Sequence, residues 1–209
     1  SGHHKYKKLK IMIKFKNLSQ EIPYKILKEK YDTAIEAGQN SINAICIASY
    51  SKKTNEVNAR YVNLKIINNN EFIFFTNYNS LKANDFSCHP QITSLIYWDK
   101  LNIQIRIKAS IKRTSKEFNK KYFKKRDIYK NALSISSNQS SKIKSYEEVN
   151  KNYLDTLKMK NLDECPKYWG GFAFTPYYFE FWEGHESRIN KREVFEFKDS
   201  DWNKYILEP

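Results

Sequence analysis

Leu101 to Ile111 reads LNIQIRIKASI, with an apolar residue at Ile103, Ile105, Ile107, Ala109 and Ile111 and an amide, a base or a hydroxyl between them. A period of two is the mark of a strand with one buried face and one polar face. Four neighbouring runs have strand composition as well: INAICIASYS (Ile42–Ser51), VNARYVNLKII (Val57–Ile67), EFIFFTN (Glu71–Asn77) and QITSLIYW (Gln91–Trp98). Asn-rich turns such as Asn68–Asn70 separate them. Five strands within about seventy residues predict an antiparallel barrel or sandwich.

Around this centre the pattern changes. Leu18–Asn40 carries Ile22, Ile26, Tyr31 and Ile35 at helical spacing, with Ser19 as cap and Gly38 as stop. A short helix is expected over Ser80–Pro90, and two or three more between Ser115 and Lys160, around the Ser-rich insert Leu133–Ile143. Strands return in GGFAFTPYYFEFWEG (Gly170–Gly184), SRINKREVFEF (Ser187–Phe197) and Trp202–Pro209. The expected class is α+β, a mostly antiparallel barrel with flanking helices and no internal repeat. We take 1–11 as a tag or leader, because SGHH resembles an expression scar and Met12 would serve as a natural start, and 12–209 as a single domain.

The formal charge is +14, from 37 basic and 23 acidic residues, and the excess gathers in Arg106–Lys130. Such a balance attracts phosphates. Cys46, Cys88 and Cys165 have neither disulfide nor metal-ligand spacing, which fits a reducing compartment. No apolar run approaches the roughly 18 residues of a membrane span, and the expectation is a cytoplasmic protein without a membrane partner. His89 and His185 stand apart, so no metal site is expected. Nucleophile elbows and Gly-rich phosphate loops are absent, and any phosphate must be held by side chains.

Candidates for that task are Arg60, Lys65, Lys82, Arg126, Arg188 and Arg192. Taken singly, each reads first as a solvated charge on a strand end or helix face. Arg188, Asn190 and Arg192 alternate, which places them on one face of a strand following Glu180–Gly184. Gln104 in the alternating strand, and Gln139 and Ser140 in an uncharged loop, suit a heteroaromatic ring with donors and acceptors along its edge, or else are satisfied core and loop amides.

In order, the segments RYVNLK (Arg60–Lys65), FFTNYNSLKA (Phe74–Ala83), LNIQIRI (Leu101–Ile107), KYFKKR (Lys121–Arg126), SSNQSSKI (Ser136–Ile143), YWGGF (Tyr168–Phe172) and EFWEGHESRINKR (Glu180–Arg192) resemble the pyridoxamine 5'-phosphate oxidases. The resemblance implies an FMN-binding split barrel, with FMN at a homodimer interface. It implies FMN contacts from Arg60, Tyr61, Val62, Asn63, Leu64, Lys65, Phe75, Thr76, Lys82 and Gln104, and from Gln139, Ser140, Trp182 and Arg192 across the dimer. Substrate would be met by Lys65, Tyr122, Arg126 and Lys130, with Arg188 and Asn190 in catalytic positions over its ring. The implied reaction is oxidation of pyridoxamine or pyridoxine 5'-phosphate to pyridoxal 5'-phosphate, with hydride passing to flavin and oxygen leaving as hydrogen peroxide.

The chain departs from the family at the substrate end. Asn190 stands for a histidine, Lys191 for an acid, Leu81 for an arginine near the FMN phosphate and Lys130 for a small serine, while the terminal YILEP lacks the usual base. These changes keep open an FMN split-barrel oxidoreductase with another substrate. A third reading takes Arg106–Lys130 as a nucleic-acid-binding surface. The helical pattern of Lys116–Asp127, with Phe118, Tyr122 and Phe123 inward, favours an ordinary solvated face, and no specific nucleic-acid partner is expected.

Overall fold

The computed structural model describes residues 12–209; the expected tag or leader, with His3 and His4, lies outside the described residues. The alternation of Leu101–Ile111 is realised as written. Ile103, Ile105, Ile107, Ala109 and Ile111 are buried, and Arg106 and Lys108 point the other way.

In chain order the elements are β1 (Lys14–Lys16), α1 (Ile22–Glu36), β2 (Ala44–Ser51), β3 (Glu56–Asn63), β4 (Ile66–Asn68), β5 (Glu71–Asn77), α2 (Leu81–Cys88), β6 (Gln91–Trp98), β7 (Ile103–Arg113), α3 (Lys116–Lys125), α4 (Ile128–Ser136), α5 (Tyr146–Leu157), β8 (Trp169–Glu183), β9 (Lys191–Lys198) and β10 (Asp201–Leu207). The strands join in the order β1-β4-β5-β8-β7-β6-β2-β3, with β9 on β8 and β10 on β9. Every pairing is antiparallel except β1 with β4. The class is therefore α+β, a mostly antiparallel split barrel.

Strand β8 is long enough to serve two neighbours. Trp169–Phe174 pairs with β5, whereas Tyr178–Glu183 pairs with β9. The exchange falls at Pro176, which has no N–H to donate, and the register against β7 shifts between Lys108 and Ala109 at the same level. The main core runs beneath these strands and includes Phe72, Phe74, Phe172, Phe174 and Phe179 with Tyr24 and Leu27 of α1, and a smaller cluster joins Ile66, Ile73 and Ala173 to Phe75, Phe118 and Tyr122.

Two sequence expectations change. Helix α1 is capped at Glu21, without a side-chain cap bond, while Ser19 accepts from the Glu21 amide one step outside it. Pro23 fits the first turn, where an N–H would have no helical partner, and Gly38, at φ +77°, closes the far end as expected. The run Val57–Ile67 is not one strand but β3 and β4. Leu64 still donates to Asn43 O at 2.8 Å, in the register of β3 against β2, and the chain then passes to β5 at Lys65, whose amide donates to Ile73 O at 3.0 Å.

Candidate active site

The break between β3 and β4 creates the site. Leu64 is fully buried in the core, and Lys65, the next residue, lines a cavity of about 930 Å³. The rest of the wall comes from Asn58–Asn63 of β3, Phe75 and Thr76 of β5, Leu81 and Lys82 of α2, Tyr122 of α3, Arg126, Asp127, Lys130 of α4, and Gln139 and Ser140. That volume is in the upper part of the range of small-molecule sites.

Its cations form two groups. In the first, Arg60 donates through Nη1 to Ser49 Oγ at 2.8 Å and to Ile47 O at 3.2 Å, and the Ser49 hydroxyl donates to the buried Asp85 at 2.8 Å. Asp85 also lies 3.8 Å from Arg60 Nη2, an ion pair that offsets the cost of burying the guanidinium. Lys82 sits in the first turn of α2, which is capped by Ser80. Burial, and then the neighbouring Arg60, push its ammonium down to about 8.

The second group is Lys65, Tyr122, Arg126 and Lys130. Arg126 Nη1 donates to Ser134 Oγ at 2.7 Å, Lys130 O at 3.0 Å and Asn131 Oδ1 at 3.2 Å, and the guanidinium carbon lies 5.1 Å from the Trp169 ring centre. Tyr122 stacks on Phe75 at 3.9 Å and Phe75 on Trp169 at 4.9 Å. Burial raises the Tyr122 hydroxyl, which therefore remains a donor. Burial, followed by Lys130 and Arg126, lowers Lys65. Among the described residues, none of Lys65, Lys82, Arg126 or Lys130 makes an ion pair with an acid. The one acid of the wall, Asp127, caps α4 by accepting from the Tyr129 and Lys130 amides, and like charges that outnumber it mark a place for anions.

Gln139 and Ser140 reach this cavity from the Ser-rich insert. Gln139 Oε1 accepts from Thr76 Oγ1 at 2.8 Å and from the Asn77 amide at 3.1 Å, which sets it beside Thr76 of its own chain. The close packing behind α3 depends on Gly170, where a Cβ would collide with the Tyr78 hydroxyl and the Asn119 amide.

Five candidates lie elsewhere. Gln104, Trp182 and Arg192 pair in register across β7, β8 and β9, forming a row on one face of the sheet. Arg188 and Asn190 do not continue that row on a strand. Strand β9 begins only at Lys191, Arg188 is left-handed at φ +61°, and Asn190 Oδ1 accepts from the His185 amide at 3.0 Å. The shared strand face of Arg188, Asn190 and Arg192 is thus replaced by a turn, because local side-chain bonds close the chain before the ladder begins.

Sequence reasoning missed the residues that hold the candidates in place. These are Asp85 and Ser49 behind Arg60, Trp169, Asn131 and Ser134 around Arg126, and Glu180 between Arg106 and Arg192. Glu180 carried a readable signal, an acid within the aromatic run YYFEFW.

Residues 27–159 match the family model described as pyridoxamine 5'-phosphate oxidase, and residues 169–209 match the pyridoxine 5'-phosphate oxidase C-terminal dimerisation region. The chain is 31% identical over 191 residues to a pyridoxine/pyridoxamine 5'-phosphate oxidase of Leptospira interrogans, covering 90% of this chain and 88% of that protein. It is 34% identical over 180 residues to the chloroplastic pyridoxine/pyridoxamine 5'-phosphate oxidase 1 of Arabidopsis thaliana, covering 83% of this chain but only 33% of that longer protein. Among solved structures, PhzG from Burkholderia lata 383, in complex with tetrahydrophenazine-1-carboxylic acid, superposes with a TM-score of 0.83 at 23% identity, over 90% of this chain and 92% of that one. A pyridoxamine 5'-phosphate oxidase-related, FMN binding protein from Nostoc punctiforme gives 0.74 at 12% identity, over 87% and 97%.

Proposed function

The chain belongs to the pyridoxamine 5'-phosphate oxidase family, a family of oxidoreductases, and from that premise we propose that it binds FMN as a homodimer and oxidises pyridoxamine or pyridoxine 5'-phosphate to pyridoxal 5'-phosphate. The observation that carries this reading is the presence of two separate cationic groups in one cavity. A flavin mononucleotide and a phosphorylated vitamer each bring one phosphate, and the cavity has one group for each.

The donor set fits the cofactor. Arg60 and Lys82 offer charge to a phosphate monoester, with Arg60 already oriented by Ser49 and Lys82 without an acid partner among the described residues. Strand β3 ends the sheet path, so its outer backbone edge, together with Gln139 and Ser140, is available to the polar rim of a ring system. When bound, FMN supplies a two-electron acceptor for the substrate hydride that oxygen regenerates, with release of hydrogen peroxide. Lys65, Tyr122, Arg126 and Lys130 bind the vitamer phosphate and thereby fix the orientation of its ring. Trp182, Arg192, Arg188 and Asn190 are assigned to the corresponding cavity of a second copy, which the matched dimerisation region supports.

A second reading keeps the cavity and changes the substrate. It is favoured by Lys130, a fourth polar group in the second cluster, and by Asn190, whose carbonyl is engaged with the His185 amide. One experiment separates the two. Purified protein is loaded with FMN, desalted, and mixed with pyridoxamine 5'-phosphate without oxygen. The expected result is retained flavin absorbance that bleaches and returns with air. Flavin that is retained but stays yellow with both B6 phosphates would select the second reading, and flavin lost on desalting would count against both.

A further inference from the structure

The sequence YYFEFW sets a glutamate among aromatics on β8, with Phe179 and Phe181 facing the core. Tyr178, Glu180 and Trp182 therefore share the opposite face. Glu180 is only 1% exposed there, and a buried carboxylate is tolerated only when it is paired and hydrogen-bonded. Two strands supply the partners. Arg106, directly opposite on β7, donates through Nη2 to Oε1 at 2.7 Å. Arg192 on β9 donates through Nη2 to Oε1 at 3.0 Å and through Nε to Oε2 at 3.3 Å, and Tyr178 completes the shell at 3.3 Å.

The geometry around Arg192 fixes its plane. One edge of the guanidinium grips the carboxylate as a fork, and Nη1 donates to Glu208 O at 3.0 Å. A free arginine on a strand samples many rotamers, while one held at two edges presents a single orientation. Burial alone would raise the Glu180 carboxyl, but the bonds from Arg192 and Arg106 outweigh it and hold the carboxyl below its ordinary range. With two cations on one acid, the cluster keeps an excess positive charge, and Arg106 Nε is buried without a partner.

We propose that Glu180 is a positioning residue that presents Arg192 to the flavin bound in the cavity of a second copy, with Arg106 as the balancing cation. This rests on the FMN reading above. Glu180 lies one step along the strand face from the Gln104–Trp182–Arg192 row, so it orders that row without reaching the ligand itself.

The test is a double-mutant cycle on the apo dimer, read as the FMN dissociation constant from quenching of flavin fluorescence. E180Q keeps the shape and removes the charge, and should weaken FMN on the order of ten-fold while the dimer persists. R192K should weaken FMN by itself, and adding E180Q to it should cost less than about two-fold more, because the glutamate would then have no fork to hold. Full additivity, or E180Q within about two-fold of wild type, would overturn the assignment. Should E180Q reduce the yield of folded dimer, R106M/E180Q restores the charge count on that face and carries the same comparison with R106M alone. Wild-type protein that takes up no FMN overturns the reading beneath the proposal and the proposal with it, whereas wild-type uptake matched by E180Q overturns the proposal alone.

Discussion

The cavity bordered by β3, β5, α2, α3 and α4 and the sheet face carried by β7, β8 and β9 handle positive charge in opposite ways. In the cavity, Lys65, Lys82, Arg126 and Lys130 outnumber the one acid of the wall, Asp127, and burial, followed by neighbouring cations, puts Lys65 and Lys82 below their ordinary values. On the sheet face, Arg106 and Arg192 share the buried Glu180. Cavity charge is left for a ligand to neutralise, whereas face charge is already neutralised in part and contributes orientation. Arg60 stands between the two styles, since a hydroxyl separates it from its acid.

The largest expected effect comes from removing a cavity cation on the substrate side. Arg126→Ala should raise the KM for the B6 phosphate roughly ten- to hundred-fold, the equivalent of about 1.5–3 kcal/mol for a charge-assisted contact, with flavin still bound. Steady-state kinetics alongside flavin absorbance checks it. Loss of flavin in the same variant would break the division into two cationic groups. On the cofactor side, Lys82→Ala should weaken FMN on the order of ten-fold and leave the substrate KM unchanged at saturating flavin. Equal losses of both properties would merge the two groups into one.

The next effect is one of pH. Free Lys82 titrates at about 8, and a bound phosphate favours its charged form, so FMN affinity should be level just below that pH and weaken above it. The sign is opposite for the empty protein, whose penalty for ionised Lys82 is relieved as the pH rises from about 8 toward the ordinary 10.5. Titration of FMN binding from neutral to alkaline pH, in wild type and Lys82→Met, measures the difference. A step that survives the substitution would have to come from another group. Smallest of all, Ser49→Ala removes the hydroxyl between Arg60 and Asp85 and should cost about 1 kcal/mol, roughly five-fold in FMN affinity. A loss as large as that of Lys82→Ala would show that Arg60 depends on its support as fully as Arg192 does.

The sequence was most legible where one face is apolar throughout. The alternation of Ile103 to Ile111 cannot be satisfied by any other period, and it located β7 and its burial together. It was least legible where tertiary bonds decide. Nothing local in Val57–Ile67 says that the chain will pass from β2 to β5 after Leu64, with Ile73 O taking the Lys65 amide, yet that change of partner brings Lys65 to the cavity. The alternation of Arg188, Asn190 and Arg192 misled because it lacks a matching apolar alternation, and charges alone do not anchor a strand. Polar residues of the cavity were gathered on the strength of a resemblance, since Arg60, Tyr122 and Gln139 come from segments that only the folded chain brings together. The supports behind them were missed for a related reason: Asp85 and Asn131 look like ordinary polar helix residues until burial is known.

The exchange of neighbours at Pro176 has a further consequence. The aromatic half of β8, Tyr178–Glu183, owes its outer hydrogen-bonding edge entirely to β9. Without β9 and β10 that half would expose a row of unpaired amides and carbonyls beside Phe179, Phe181 and Trp182, the kind of edge on which copies of a chain stack into insoluble aggregates. The C-terminal hairpin is therefore also a solubility device, and shortening the protein from that end would expose this edge along with the loss of the hold on Arg192.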